Sequence, residues 1–197
     1  ENYTGFSDGA KTDSIDADTR FHVASTSKTF TSIAIMQQVR AGKINLDDSI
    51  QLFFPLFPYQ GITVRNLLNH SSGLPNYANL FPKYKWNTKQ TATNTDVLYL
   101  FYANRPPLEF KPNTRFKYSN TNFALLALIV EKTSGQFFPD YVRDSIFRPA
   151  GMTSSYVLNY RNADAYIPSW DGAGRIYDFN YLDAIYGDKN VFTNCLD

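Results

Sequence analysis

Among its 197 residues the sequence holds one cysteine, Cys195. A single thiol excludes an internal disulfide framework and a cysteine-rich zinc site. Two histidines, His22 and His70, leave little for a histidine-based metal centre. Long hydrophobic runs are absent: the longest goes from Phe123 to Val130, too short to cross a bilayer. Neither sign of charge is in excess, with 19 Lys and Arg against 18 Asp and Glu. That balance leaves no electrostatic footprint for nucleic acid or an anionic membrane. No positively charged stretch with a following apolar segment opens the sequence, so no signal peptide is expected within these residues. There is no internal repeat and no low-complexity segment. What remains is rich in rings, with 16 Phe, 14 Tyr and 2 Trp. Hydrophobic residues reach 43%, enough for a chain of this length to build a core rather than stay disordered.

We expect a single domain over residues 1–197, strand-rich over 1–24 and mainly helical with long loops over 25–197. Strand-like pieces fall at Tyr3–Phe6 and Phe21–Ala24, with a turn-rich segment between them. Phe30, Ile33, Ala34, Met36 and Val39 recur at helical spacing, and Gly42 sits where a glycine cap belongs. A short helix is expected over 63–69, capped by Thr63, and another over 93–102. Residues 76–90 show no clear period. Pro106, Pro107 and Pro112 exclude regular helix over 105–113. The segment 121–133 is apolar nearly all round, as befits a buried helix ended by Gly135. A further helix covers 138–146. The last residues, VFTNCLD, read as the opening turn of a helix with Thr193 or Asn194 as its cap. The 197 residues are therefore expected to be a piece of a longer polypeptide.

Two short patterns carry chemistry. Ser25-Thr26-Ser27-Lys28 lies where a short strand meets an amphipathic helix. Positions i and i+3 share a helix face, so the Lys28 amine can reach the Ser25 hydroxyl. A serine hydroxyl becomes a nucleophile when a base takes its proton, and a neutral amine can do so. The same helix start offers N–H groups to a developing oxyanion. A capping serine beside a surface lysine would give the same letters. In Tyr118-Ser119-Asn120, residues i and i+2 of an extended segment face one way. A phenol and an amide side by side can relay a proton and hold a substrate amide. His70, in the loop His70-Ser71-Ser72-Gly73-Leu74-Pro75, reads either as a proton carrier or as part of a structural loop.

Taken in order, FHVASTSKTFTS, LLNHSSGLPNY, FKYSNTNFALLALIVEKTSG and IFRPAGM resemble the serine β-lactamase and penicillin-binding protein superfamily. The Tyr-x-Asn form of the second motif points to the class C β-lactamase-like branch, with its D,D-peptidase and esterase relatives. The resemblance runs from about residue 1 to residue 195. It implies an α+β, β-lactamase/transpeptidase-like fold, here mainly the helical part with a few N-terminal strands and most of the antiparallel sheet missing. It implies Ser25 as the acylated nucleophile, Lys28 as its proton partner and Tyr118 as a general acid or base. Asn120 would orient Lys28 and bind the substrate amide. Which of Lys28 and Tyr118 takes the first proton stays open. No cofactor or metal is implied. The partner would be a small-molecule or peptidoglycan-peptide substrate, and export to the cell envelope follows from that chemistry. The family's third motif, Lys or His with Gly two residues on, is not found. Lys132-Thr133-Ser134-Gly135 is placed at a helix end instead.

Other features carry less. Asp13, Asp16 and Asp18 do not meet the calcium-loop pattern and read as a solvated turn. Tyr77, Tyr84, Trp86, Tyr177, Tyr181 and Tyr186 fit either a substrate cleft or packed loops. The expected function is that of a serine acyl-hydrolase acting on β-lactams, D-Ala-D-Ala-type peptides or small esters. Two alternatives compete with it. One is a non-catalytic relative that binds peptidoglycan or a partner. The other, an aromatic-rich carbohydrate-binding module, fits the helical pattern poorly.

Overall fold

The computed structural model describes residues 2–171 and 173–197. Strand β1 (Phe21–His22) passes through a 3-10 turn, Ala24–Thr26, directly into helix α1 (Ser27–Arg40). Four helices follow: α2 (Ile50–Phe53), α3 (Val64–Leu68), α4 (Tyr77–Lys83) and α5 (Asn94–Asn104). The long helix α6 (Asn120–Ser134) then leads to α7 (Phe138–Val142), one π-helical turn at Arg143–Phe147 and a 3-10 turn at Arg148–Ala150. The remainder holds β2 (Tyr156–Val157), β3 (Ser169–Trp170), β4 (Ile176–Tyr177) and β5 (Val191–Thr193).

Local chemistry explains most helix starts. The Thr63 hydroxyl accepts the Asn66 N–H while the Asn66 side chain accepts the Thr63 N–H. Thr93 and Asp96 repeat that reciprocal cap on α5. The helix α6 ends as expected at Gly135, which adopts a left-handed backbone.

The core forms around α6. Every residue from Thr121 to Val130 is buried. A helix this apolar on all sides must be enclosed, and α1, α3, α4, α5 and α7 all touch it. Fixing α6 in this way also fixes its N-terminus, the end that follows Tyr118.

Two small antiparallel sheets form among the described residues, one of order β1-β5-β2 and one pairing β3 with β4. Phe21 pairs with Thr193, and Val157 with Val191. Only β1 comes from the first 24 residues. Around Tyr3–Phe6 there is no strand, only a single bridge from Phe6 to Ser14.

Three further expectations change. Helix α4 lies in the segment that showed no period. Its buried residues are Tyr77, Leu80 and Phe81, a pattern one turn long, with Pro82 inside the helix. The expected helix over 138–146 widens into the π-helical turn after Val142. Val191–Thr193 is strand rather than helix. Only after it does Asn194 Oδ1 accept the N–H groups of Leu196 and Asp197, the bond pattern of a helix cap. Among the described residues, no helix is long and apolar enough to cross a membrane.

The loop between α3 and α4 packs against the proline-bounded segment before α6. Gly73 O accepts the Glu109 N–H at 2.9 Å. At Gly73 φ is +77°, and a Cβ there would lie 2.1 Å from the Phe110 carbonyl oxygen. Gly151 has a similar φ of +78° but open space around its Cβ position. The left-handed backbone alone costs an L-residue about 1–2 kcal/mol. Gly151→Ala is therefore expected to lose about that much stability in urea unfolding. Gly73→Ala is expected to lose clearly more, because Phe110 must also move. Equal losses for the two variants would show that the loop yields freely and does not constrain its neighbour.

Candidate active site

Ser25 sits in the 3-10 turn ahead of α1 and is exposed. The turn is anchored from below by β5. The Val23 N–H donates to the Val191 carbonyl at 3.0 Å, and the Val191 N–H donates to Ser27 Oγ at 3.0 Å. Ala24, just before the serine, has φ +44°. That left-handed residue turns the chain from strand to helix and leaves Ser25 at the bend.

Lys28 lies one turn further on and is only 8% exposed. Its Nζ donates to Ser25 Oγ at 3.2 Å, to Asn120 Oδ1 at 2.9 Å and to the Asp188 carbonyl at 2.6 Å. An ammonium has three N–H donors and no acceptor. Here each donor meets one oxygen, so no buried charge is left without a partner. A neutral amine in the same place keeps two N–H groups and gains a lone pair. If Asn120 and Asp188 take the two N–H groups, the lone pair faces the Ser25 hydroxyl.

Tyr118 and Asn120 reach the same point from the other side. Tyr118 Oη lies 2.7 Å from Ser25 Oγ, and its ring lies 4.8 Å from Lys28 Nζ. Between them Ser119 is extended, with φ −145° and ψ +124°, so the phenol and the amide project together. Asn120 is the first residue of α6, and the buried helix behind it holds both in place. Among the described residues no hydrogen bond engages its Nδ2, while its Oδ1 accepts from Lys28. Ser25, Lys28, Tyr118 and Asn120 therefore converge as the two motifs suggested. Ser25 and Tyr118 are exposed, Asn120 is half-buried and Lys28 is buried beneath them. A cavity of about 610 Å³ on the same chain, lined by Phe6, Arg20, Phe21, His22 and Trp170 among others, includes none of this quartet.

Residues outside the motifs complete the arrangement. Gly187 and Asp188 approach from the loop before β5. The Gly187 carbonyl accepts the Thr31 hydroxyl at 2.7 Å, which seats the loop on α1. A Cβ at Gly187 would lie 2.5 Å from the Phe123 carbonyl oxygen and 2.8 Å from the Ala127 Cβ. Only glycine lets the loop come close enough to α6 for the Asp188 carbonyl to meet Lys28. The Asp188 carboxyl is fully buried and accepts the Tyr77 hydroxyl at 2.8 Å. Burial raises its pKa, against the opposing pull of Lys189, Lys28 and Tyr77. Burial, then Asp188 itself, also holds the Tyr77 phenol well above the ordinary range.

Several sequence features take structural places. Tyr77 and Tyr186 are buried, and Tyr186 donates to Glu131 at 2.8 Å. Trp86 packs edge-on against Phe81. Lys132 lies over the Phe54 ring near the end of α6 opposite Asn120. Asp16 accepts the Thr19 hydroxyl and the Asp18 N–H within a surface turn. His70 is not in contact with Ser25. It lies behind Tyr118, buried, with its ring centroid 4.4 Å from that of Tyr118.

The chain is similar to known proteins over nearly its whole length. The family model described as Beta-lactamase matches residues 1–186. Penicillin-binding protein 4* of Bacillus subtilis is 37% identical over 188 residues, covering 87% of this chain and 41% of that protein. The chain thus spans less than half the length of that relative. Among solved structures, a penicillin-binding protein from Bacillus halodurans superposes with a TM-score of 0.80 at 30% identity, over 98% of this chain and 62% of the other. The D-amino acid amidase from Ochrobactrum anthropi SV3 shares the fold, with a TM-score of 0.78 at 24% identity over 97% of this chain and 56% of the other. With the family model spanning nearly the whole chain and the serine, lysine, tyrosine and asparagine gathered at one point, this chain belongs to the Beta-lactamase family, within the serine β-lactamase and penicillin-binding protein superfamily.

Proposed function

We propose that the chain is the Ser25-bearing part of a serine acyl-hydrolase that acts on β-lactams, D-Ala-D-Ala-type peptides or small esters. The observation that carries the reading is that Ser25 Oγ is hydrogen-bonded by two separate proton-handling groups, Lys28 Nζ and Tyr118 Oη. A serine with only a structural role would need neither.

In this reading neutral Lys28 takes the Ser25 proton as Oγ attacks the carbonyl carbon. The bond from carbon to the leaving group then breaks, and Tyr118, exposed at the rim, hands a proton to the leaving nitrogen. The phenolate left on Tyr118 then takes a proton from the water that attacks the acyl-enzyme, and Lys28 returns its proton to Ser25 Oγ as the ester bond breaks. Asn120 Nδ2 holds the substrate amide while Oδ1 keeps Lys28 aimed. The Ser25 N–H, within the first turn of helix, faces the developing oxyanion. Water then attacks the acyl-enzyme, the ester bond breaks, and Ser25 regains its proton. With peptidoglycan peptides as substrates the protein would work in the cell envelope.

Intact mass spectrometry after incubation with a penicillin tests the reading directly. The wild-type chain is expected to gain one penicillin mass, and Ser25→Ala to gain none. Reversible binding of peptidoglycan peptides without any adduct would replace this reading with that of a non-catalytic relative.

The division of labour is tested with two further variants. Lys28→Met is expected to slow acylation by about 10²–10⁴-fold with every substrate, since the base is lost. Tyr118→Phe is expected to slow acylation by amides and β-lactams far more than by an activated ester, whose leaving group needs no proton. Equal losses for both substrate types in Tyr118→Phe would remove Tyr118 from the leaving-group step.

A further inference from the structure

We propose that His70 is a positioning residue for Tyr118: with a bare Nδ1 it holds the phenol against Ser25 without touching Ser25 itself. The inference deepens the proposed reading of Tyr118 and rests on it.

His70 holds the Tyr118 segment at three points. Its carbonyl accepts the Lys117 N–H at 2.9 Å. Its Nδ1 accepts the Ser119 N–H at 3.2 Å. Its ring lies against the Tyr118 ring between these two bonds, tilted by 35°. The residues before and after Tyr118 are thus pinned to one histidine, and the tyrosine side chain rests on it. The backbone of His70 has φ +58°. This left-handed bend lets both its carbonyl and its ring face the same segment.

The hydrogen bonds around His70 fix its tautomer. The Leu74 N–H donates to Ser72 Oγ, which leaves the Ser72 proton for Asn122 Oδ1 at 2.6 Å. With Oδ1 occupied, Asn122 presents Nδ2 to His70 Nδ1 at 3.1 Å. Two N–H groups, from Ser119 and Asn122, therefore converge on Nδ1. It must be unprotonated, and the ring proton belongs on Nε2.

Protonation would break the arrangement. An N–H at Nδ1 would face two other N–H groups. The new charge would also stand near Lys28, the ionisable group α1 directs at the ring. The segment before α6 adds Tyr118, and Lys117 with its partner Glu109. From α6 the ring meets Asn122 and Phe123, which are neutral. Burial, followed by Lys28, lowers the His70 pKa to about 4. The working form therefore predominates above about pH 4 and is lost as pH falls through that value.

Two variants and two readouts decide the matter. Asparagine tolerates the left-handed backbone and offers an oxygen close to the place of Nδ1, but it has no ring and does not titrate. Ser25 labelling by a fluorophosphonate is followed from pH 3.5 to 8, with circular dichroism at each pH as the check on folding. His70→Ala is expected to slow labelling by about 100-fold, the cost of a misplaced catalytic group. His70→Asn is expected to recover part of that loss. The wild type is expected to show an acid limb near pH 4 that His70→Asn lacks. Nitrogen NMR of the wild-type imidazole is expected to show a protonated Nε2 and a bare, hydrogen-bonded Nδ1, and the Tyr118 ring signals are expected to shift in His70→Asn. Labelling rates unchanged in both variants, the same acid limb in His70→Asn, or a proton on Nδ1 would each overturn the proposal. Should wild-type Ser25 resist labelling altogether, the hydrolase reading fails. The imidazole and Tyr118 signals still decide whether His70 holds that ring.

Discussion

Everything at the site depends on where one nitrogen sits. Lys28 Nζ is bonded to oxygens from three stretches of chain that are far apart in sequence: Ser25, Asn120 and Asp188. Burying a charge without partners costs several kcal/mol. The amine is therefore tolerated only while α1, the start of α6 and the loop before β5 keep their mutual positions. The same three oxygens that make the buried lysine affordable also orient it. Its position is a consequence of satisfying its donors, and the reach to Ser25 follows from that.

The enclosing structure serves this requirement. Helix α6 is buried over ten consecutive positions, Thr121 to Val130, and touches five other helices. Such a helix cannot shift along its axis without opening cavities on several faces at once. Asn120 is its first residue, so the rigidity of the core is passed directly to the amide that meets Lys28. Gly187 does the corresponding work for the third oxygen. Its missing side chain lets the loop lie against the backbone of α6. The serine and the lysine are thereby given different environments. Lys28 is buried and fully partnered, whereas Ser25 and Tyr118 are exposed where a substrate can reach them.

The sequence made the quartet legible because its spacing rules are local. Ser25 and Lys28 are one helical turn apart, and Tyr118 and Asn120 flank one extended residue. Each pair needs only the geometry of its own segment, and the resemblance to a known superfamily joined the two pairs. The third oxygen on Lys28 could not be found this way. It is a backbone carbonyl, which any residue type supplies, so Asp188 carries no letter that announces the role. Gly187 was the available signal, as a glycine whose reason lay elsewhere in the fold. Helix α4 escaped for a related reason: its buried residues cover one turn, too few to establish a period. The strands were hard to see because each is two or three residues long. The pairing of β1, β5 and β2 is long-range, whereas β3 and β4 pair with each other locally.

The two histidines show how the chain uses groups that its composition seemed to leave idle. His22 Nε2 accepts the Asn190 N–H at 3.2 Å, and His70 Nδ1 accepts the Ser119 N–H. Both rings are therefore main-chain acceptors. His22 stacks on Phe192 of β5, and His70 lies on Tyr118. Burial lowers the pKa of both, and in each case a lysine, Lys189 or Lys28, adds to the effect. An imidazole can accept an N–H only while it is neutral, so the burial that lowers its pKa also preserves the bond it makes. One histidine braces the strand beneath the serine turn, and the other braces the tyrosine above it. The pair Ser25 and Tyr118 thus has on each side a ring that accepts a main-chain N–H.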